Sequence, residues 1–141
     1  MNSRTILAAL VGAIVSFLMG WLIYGLLLMD YMQGNVQTYE GLMKPEEDAM
    51  IGYVLGSIIQ AILMCYILNS AGVKSLGKGA IMGAIISLLI SAWMGTFYLT
   101  AMNWYTSNTA FIVELLASGV MGLVIGGAIG WMLGRGSKAA A

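Results

Sequence analysis

Residues 110–133 read AFIVELLASGVMGLVIGGAIGWML and contain one ionisable side chain, Glu114. A helix needs roughly 20 apolar residues to cross the hydrocarbon core of a bilayer. This stretch meets that requirement and therefore predicts a transmembrane helix. Three earlier stretches meet it as well, at about residues 5–29, 45–69 and 79–104.

The composition excludes the common soluble functions. Of the 141 residues, 60% are hydrophobic and only 9% are charged, whereas an ordinary soluble domain has about 25% charged residues. A net charge of zero does not fit a nucleic-acid partner, and a chain with no histidine and one cysteine lacks the usual metal ligands and catalytic bases. We expect a single transmembrane domain over residues 1–141, an all-α four-transmembrane-helix bundle in the lipid bilayer. We expect no enzyme, no catalytic residues, no metal and no cofactor.

The basic residues concentrate at one end of the predicted bundle. Five of the six lie at the N-terminus, in the second loop or at the C-terminus, namely Arg4, Lys74, Lys78, Arg135 and Lys138. Basic residues mark the cytoplasmic side, so we expect both termini in the cytoplasm (N-in/C-in) and the protein in the cell inner (plasma) membrane. The first span is longer than the core of a signal peptide, and we expect it to remain as a helix. Trp104 and Tyr105 are expected as aromatic anchors at the outer interface.

The two halves of the chain share short sequence motifs. Residues 12–18 read GAIVSFL and residues 83–89 read GAIISLL, and a weaker match relates the second span to the fourth. One interpretation is a duplicated pair of parallel hairpins related by an axis along the membrane normal. The other is chance, because apolar helices share residues easily. Both interpretations remain open.

Small residues recur at every fourth position in each span. The stripes comprise Gly12, Ser16 and Gly20, then Gly52 and Gly56, then Gly83, Ser87 and Ser91, and finally Gly122, Gly126 and Gly130. Such a glycine zipper lets neighbouring helix backbones approach closely in lipid. The stripes predict either tight packing inside one bundle or a groove, most plausibly on the fourth helix, that faces another copy.

Glu114 is the candidate for a functional site, because an ionisable side chain inside a span is by default a hypothesis for such a site. It precedes Ser118 by four positions and so extends the small-residue stripe of the fourth span toward its outer end. Hydroxyl groups expected at similar depth belong to Tyr24, Tyr53, Ser57, Thr96 and Thr100. One interpretation is a proton- or cation-responsive site that includes Tyr24 and Tyr53. The other is a structural hydrogen bond at the outer end of the bundle. Gln60 is expected to link helices in the middle of the second span.

The first span carries Gly12, Ser16-Phe17, Gly20-Trp21 and Tyr24, and the third and fourth spans are glycine-rich. These features resemble small bacterial four-helix membrane proteins grouped as a domain of unknown function, number 1761. The resemblance covers most of the chain. It implies a four-helix architecture and a bacterial origin, and it implies no activity, because no activity or catalytic residues are established for that family.

These observations favour a non-enzymatic multi-pass membrane protein that acts by helix–helix association. It would work as a homo-oligomer, or as a small subunit of a membrane complex together with another membrane protein. The alternative is a small oligomeric channel or transporter in which Glu114 is the responsive group. Four helices with one carboxylate form a thin pathway for a monomer, so this alternative also requires self-association.

Overall fold

The structure, a computed structural model, describes residues 3–135 of the chain and is helical through most of that range. It has five α-helices, α1 (Ser3–Leu22), α2 (Met29–Asn35), α3 (Glu46–Ser70), α4 (Leu76–Thr100) and α5 (Asn108–Gly134), with a π-helical turn over Ile23–Leu27 after α1. The predicted cation Lys138 lies outside the described residues.

Four helical segments are long and apolar enough to cross a membrane, namely α1 with its π turn, α3, α4 and α5. The predicted all-α class with four spans is therefore confirmed. The third span differs from the predicted 79–104 at both ends. It begins earlier because the Ser75 side chain caps the helix by accepting a hydrogen bond from the Lys78 amide. It ends at Thr100, so Trp104 lies in the following loop. The sidedness of the termini and the sequence repeat remain predictions. The end of the bundle that carries Arg135 is called inner, and the end that carries Tyr105 outer, by that predicted sidedness.

The short helix α2 was not predicted. Its seven residues, MDYMQGN, contain no long apolar run that periodicity could detect. Its last turn is closed by hydrogen bonds from the Val36 amide to the Met32 carbonyl and from the Asn35 side chain to the Tyr31 carbonyl. The first outer loop is therefore partly ordered by local bonds.

Helix α5 is the most buried of the four long helices and packs against α4, α1 and α3. Ile125 and Ile129 of α5 are fully buried with Met64 and Leu68 of α3. On the side of α1, Gly12 lies so close to Ile129 that an added Cβ would be 2.7 Å from that side chain. The core is therefore centred on the inner half of α5.

Helices α4 and α5 contact each other through their backbones. A Cβ added to Gly83 would lie 2.7 Å from the Cα of Gly126, and one added to Gly130 would lie 2.9 Å from the Cα of Gly79. A backbone atom cannot rotate away as a side chain can, so these positions require glycine. The groove of the fourth span is thus filled by α4 of the same chain. The alternative expectation, that this groove faces another copy, is wrong for this structure.

Helix α3 differs along its length. All of its buried residues lie in the inner half, namely Ala61, Met64, Cys65 and Leu68. From Glu46 to Gln60 no residue is buried. Gly52 and Gly56 are exposed, and a Cβ added to either would meet nothing within 4 Å. The small-residue stripe of the second span therefore makes no helix contact within the described chain.

Two other stripe residues contribute little to close packing. A Cβ added to Gly20 would come no nearer than 3.9 Å to Met121, which is an ordinary contact distance. Ser91 is half-buried on α4. Close backbone approach is therefore concentrated at the α4–α5 interface.

Candidate functional site

The predicted site residue Glu114 lies near the outer end of α5 and is half-buried. The Tyr105 hydroxyl donates a hydrogen bond to its Oε2 at 2.6 Å. Tyr105 belongs to the loop between α4 and α5 and is only 9% exposed, with its ring centroid 5.9 Å from that of Phe111. The expectation that Tyr105 anchors the outer interface is wrong, because its ring and hydroxyl both have partners inside the bundle.

Burial raises the pKa of the Tyr105 phenol above its usual range, and the hydrogen bond to Glu114 raises it further. The nearby Glu114 charge acts in the same direction. The phenol therefore keeps its proton at neutral pH and serves as the donor to the carboxylate.

Of the partners predicted for Glu114, Tyr24 is the one that the structure brings near it. The two side chains interact electrostatically. Tyr24 lies in the π turn, where the Leu28 amide bonds to the Ile23 carbonyl at 2.7 Å. Single π turns within helices are frequent at functional sites. The turn here places a half-buried phenol within electrostatic range of Glu114.

The other hydroxyl groups that were predicted near Glu114 are exposed or bond to different groups. Tyr53 is exposed on α3. The hydroxyls of Ser57 and Thr100 donate to carbonyls of their own helices, those of Tyr53 and Thr96. Serine and threonine readily form such bonds four residues back, so depth alone did not identify the partner of Glu114.

Backbone bonds hold the Tyr105 loop in place. The end of α2 pairs with it as a single antiparallel bridge between Val36 and Tyr105. The Gln37 amide donates to the Trp104 carbonyl at 2.8 Å, and the Thr106 amide donates to the Asn35 carbonyl at 3.0 Å. We call this pairing the outer clasp, residues 35–37 with 104–106. It positions the phenol that binds Glu114, and no sequence motif signals it.

A second polar contact lies at mid-depth between α1 and α3. The Ser16 hydroxyl donates to Oε1 of Gln60 at 2.7 Å, so the prediction that Gln60 links helices is confirmed. Between α4 and α5, the Ser118 hydroxyl donates to the Ser87 carbonyl at 3.2 Å. The Ser87 hydroxyl itself is buried and has no partner among residues 3–135.

Two grooves flank the lipid-facing ridge of Ile59 and Leu63 on α3. The groove toward α4 and α5 encloses about 270 Å³, and its polar lining comes from Gln60, Ser87 and Ser118. The groove toward α1 encloses about 370 Å³ and is almost entirely apolar. We call the first of these the polar groove. It is the place where polar side chains meet open space near the middle of a span.

Within residues 3–135 no three His, Cys, Asp or Glu side chains are grouped so that they could hold a metal ion. Cys65 is buried, and its thiol faces the Thr5 carbonyl at 3.4 Å. At the basic end, the Arg135 guanidinium stacks 3.9 Å above the Trp131 ring.

Four apolar helices joined by polar and backbone contacts define a multi-pass helical membrane protein. The family model described as "Protein of unknown function (DUF1761)" matches residues 7–130. The chain belongs to this family, as the resemblance in its first, third and fourth spans predicted. No curated protein and no solved structure matches the chain.

Proposed function

We propose that this protein acts by helix–helix association, as a homo-oligomer or as a small non-enzymatic subunit of a membrane complex. It would lie in the cell inner membrane with both termini in the cytoplasm. The observation that carries the proposal is the outer half of α3, where no residue from Glu46 to Gln60 is buried. The open glycines Gly52 and Gly56 lie in this half.

Helices in lipid associate through close packing and interhelical hydrogen bonds, since lipid tails are as apolar as leucine. Small residues promote association because they let two backbones approach. In α4 and α5 such residues are already covered by the neighbouring helix of the same chain. In α3 the same spacing leaves an uncovered groove, and a helix from another chain would fit it.

The test is the mass of the complex formed by the full chain extracted from its native membrane, measured by native mass spectrometry. We expect the unmodified protein to carry a second chain, and the double variant Gly52→Leu with Gly56→Leu to lose it. The variant should keep its unfolding temperature, because nothing lies within 4 Å of either added Cβ.

The matched control is Gly77→Leu. Gly77 is equally open but lies at the other end of the bundle, on α4. This variant should keep the second chain. A bare monomer for the unmodified protein, or an unchanged complex in the double variant, would contradict the proposal.

A second candidate function is an oligomeric channel or transporter with Glu114 as the responsive group. One observation favours it: Glu114 is half-buried near the outer end of the bundle, accepts a hydrogen bond from Tyr105 and interacts electrostatically with Tyr24. The test is proton and cation flux in proteoliposomes. Flux that is present in the unmodified protein and lost in Glu114→Gln would support this candidate, and flux unchanged by that substitution would remove Glu114 from it.

A further inference from the structure

The side-chain amide of Gln60 has a hydrogen-bond partner at only one of its two ends. Ser16 occupies one end of its amide, and no group among residues 3–135 bonds to the other end. This holds whichever way the amide is turned, because the oxygen and nitrogen ends are exchangeable in such assignments. Gln60 lies about 21 Å along α3 from Glu46 at 1.5 Å per residue, near the middle of the span. Hydrocarbon offers no partner for a polar group at that depth.

The free end of the amide lies beside open space. Gln60 lines the polar groove together with Gly56, Ser118 and Ser87. Ser87 is 4% exposed, and its hydroxyl also lacks a partner among the described residues. The Ser87 hydroxyl is enclosed by its neighbours, so the Gln60 amide is the unpaired polar group that is open to this groove. A lipid chain would fill the groove without satisfying the amide.

Gln60 also lies on the uncovered side of α3 that carries Gly52 and Gly56. Gly52, Gly56 and Gln60 are spaced four apart, so they lie on one side of the helix. The same stripe reaches Met64, which is 2% exposed in the core. The stripe therefore runs from the core into an uncovered groove. The Gln60 amide lies at the boundary between the buried and the uncovered half of α3.

We infer that the partner of this surface is a second copy of the chain, held by pairing of the two Gln60 amides; the inference rests on the proposed function. A two-fold axis along the membrane normal places each residue opposite its own copy at the same depth. An amide carries both a donor and an acceptor, so Gln60 is complementary to itself. Gly52 and Gly56 allow the two α3 backbones to approach.

The shape of the surface is also self-complementary. Ile59, at 66% exposed, forms a lipid-facing ridge with Leu63, and both residues line the grooves on either side of it. In a two-fold pair the ridge of one copy would enter the polar groove of the other. Ridges packed into grooves are the usual mode of helix contact.

The decisive measurement is the dimerisation constant of the purified full chain in liposomes, from energy transfer between labelled copies at varied protein-to-lipid ratios. We expect Gln60→Leu to weaken dimerisation about three- to twentyfold, the range for a hydrogen bond between helices in membranes. Ser16→Ala is the matched variant, because it removes the bond within the chain and leaves the amide in place. It should retain dimerisation or strengthen it.

Disulfide trapping gives an independent measurement. In a Cys65→Ser background, Gly56→Cys should cross-link two copies, because Gly56 lies on the same side of α3 as Gln60 and meets its own copy across the two-fold axis, whereas Ile85→Cys should not. Ile85 is 51% exposed on α4 but lines neither groove. Cross-linking of Ile85→Cys but not of Gly56→Cys would overturn the inference.

The outcomes separate the inference from the proposed function. Equal weakening by Gln60→Leu and Ser16→Ala would overturn the inference, because a bond within the chain would then explain both. A purified chain that stays monomeric, but that holds a different protein through Gly52 and Gly56 in native membranes, would overturn the inference and leave the proposed function intact. A chain that associates with nothing would overturn both.

Discussion

The two long hairpins of this bundle, α1–α3 and α4–α5, differ in closure, that is, in the fraction of their length over which they are packed. The second is closed along its whole length, from Gly134 against Lys74 at one end to Gly95 against Phe111 at the other. The first is closed only in its inner half, because the outer half of α3 has no buried residue. Small residues at every fourth position therefore allow close contact without determining which helix provides it.

The two hairpins differ because different groups pack against their stripes of small residues. The glycines of α5 face the glycines of α4, so two backbones meet and the contact extends over several turns. Gly12 of α1 instead receives the side chain of Ile129 from α5, which draws α1 toward the centre of the bundle. The outer half of α3 is left without a buried residue among residues 3–135.

The largest expected effect comes from disrupting the close contact between α4 and α5. Gly126→Leu should lower the free energy of unfolding by about 3 kcal/mol or more, because an added Cβ would lie 2.7 Å from the Cα of Gly83. Thermal unfolding in detergent or nanodiscs, followed by circular dichroism, measures it. An unchanged unfolding temperature with a lost oligomer would show instead that this groove faces another copy.

The second largest effect is expected at the outer end of the same hairpin. Tyr105→Phe should lower the free energy of unfolding by about 1–2 kcal/mol, because it removes the hydrogen bond to Glu114. Tyr53→Phe is the matched control, since Tyr53 is exposed on the open hairpin. Equal stability of the two variants would show that the bond to Glu114 contributes nothing to the closure of α4–α5.

The Tyr105 bond should also depend on pH with a defined sign. The pKa of Tyr105 is raised in the folded chain, chiefly by burial, above a value of about 10 in the unfolded chain. The bond therefore contributes its full stability below about pH 10, and this contribution is lost as the pH rises further. An alkaline unfolding series should show the loss in the unmodified protein and not in Tyr105→Phe.

A smaller effect is expected within the open hairpin. Ser16→Ala should cost about 0.6 kcal/mol, the average for a hydrogen bond between helices in membranes, because it removes the contact with Gln60. The measurement is the same unfolding transition. A loss as large as that of Gly126→Leu would show that α1 and α3 depend on this bond and that the two hairpins are closed to a similar extent.

The smallest effect is predicted at the open glycines. Gly56→Ala should change the free energy of unfolding by no more than about 0.5 kcal/mol, since an added Cβ meets nothing within 4 Å. Gly83→Ala, the same substitution in the closed hairpin, should destabilise the fold by about 1–3 kcal/mol. Equal costs at the two positions would remove the distinction between the hairpins.

The spans were predictable because hydropathy and length are local properties of the chain. The partner of Glu114 was predictable only in part. Tyr24 was expected and lies near it, whereas Tyr53 is exposed and Tyr105 makes the bond. Tyr105 was expected at the outer interface because aromatic residues favour that depth. Its actual position depends on the outer clasp, which pairs residues far apart in sequence and has no periodic signal.

By itself, the sequence determined that four apolar helices cross a membrane, that an acidic side chain lies within the last of them and that the chain belongs to its family. These features follow from composition and spacing, since lipid excludes charge and unpaired backbone. Only the tertiary structure decided which glycine groove is filled and which stays open, and which hydroxyl meets the carboxylate. A stripe of small residues is equally suited to any neighbour, so the choice depends on how all the helices pack together.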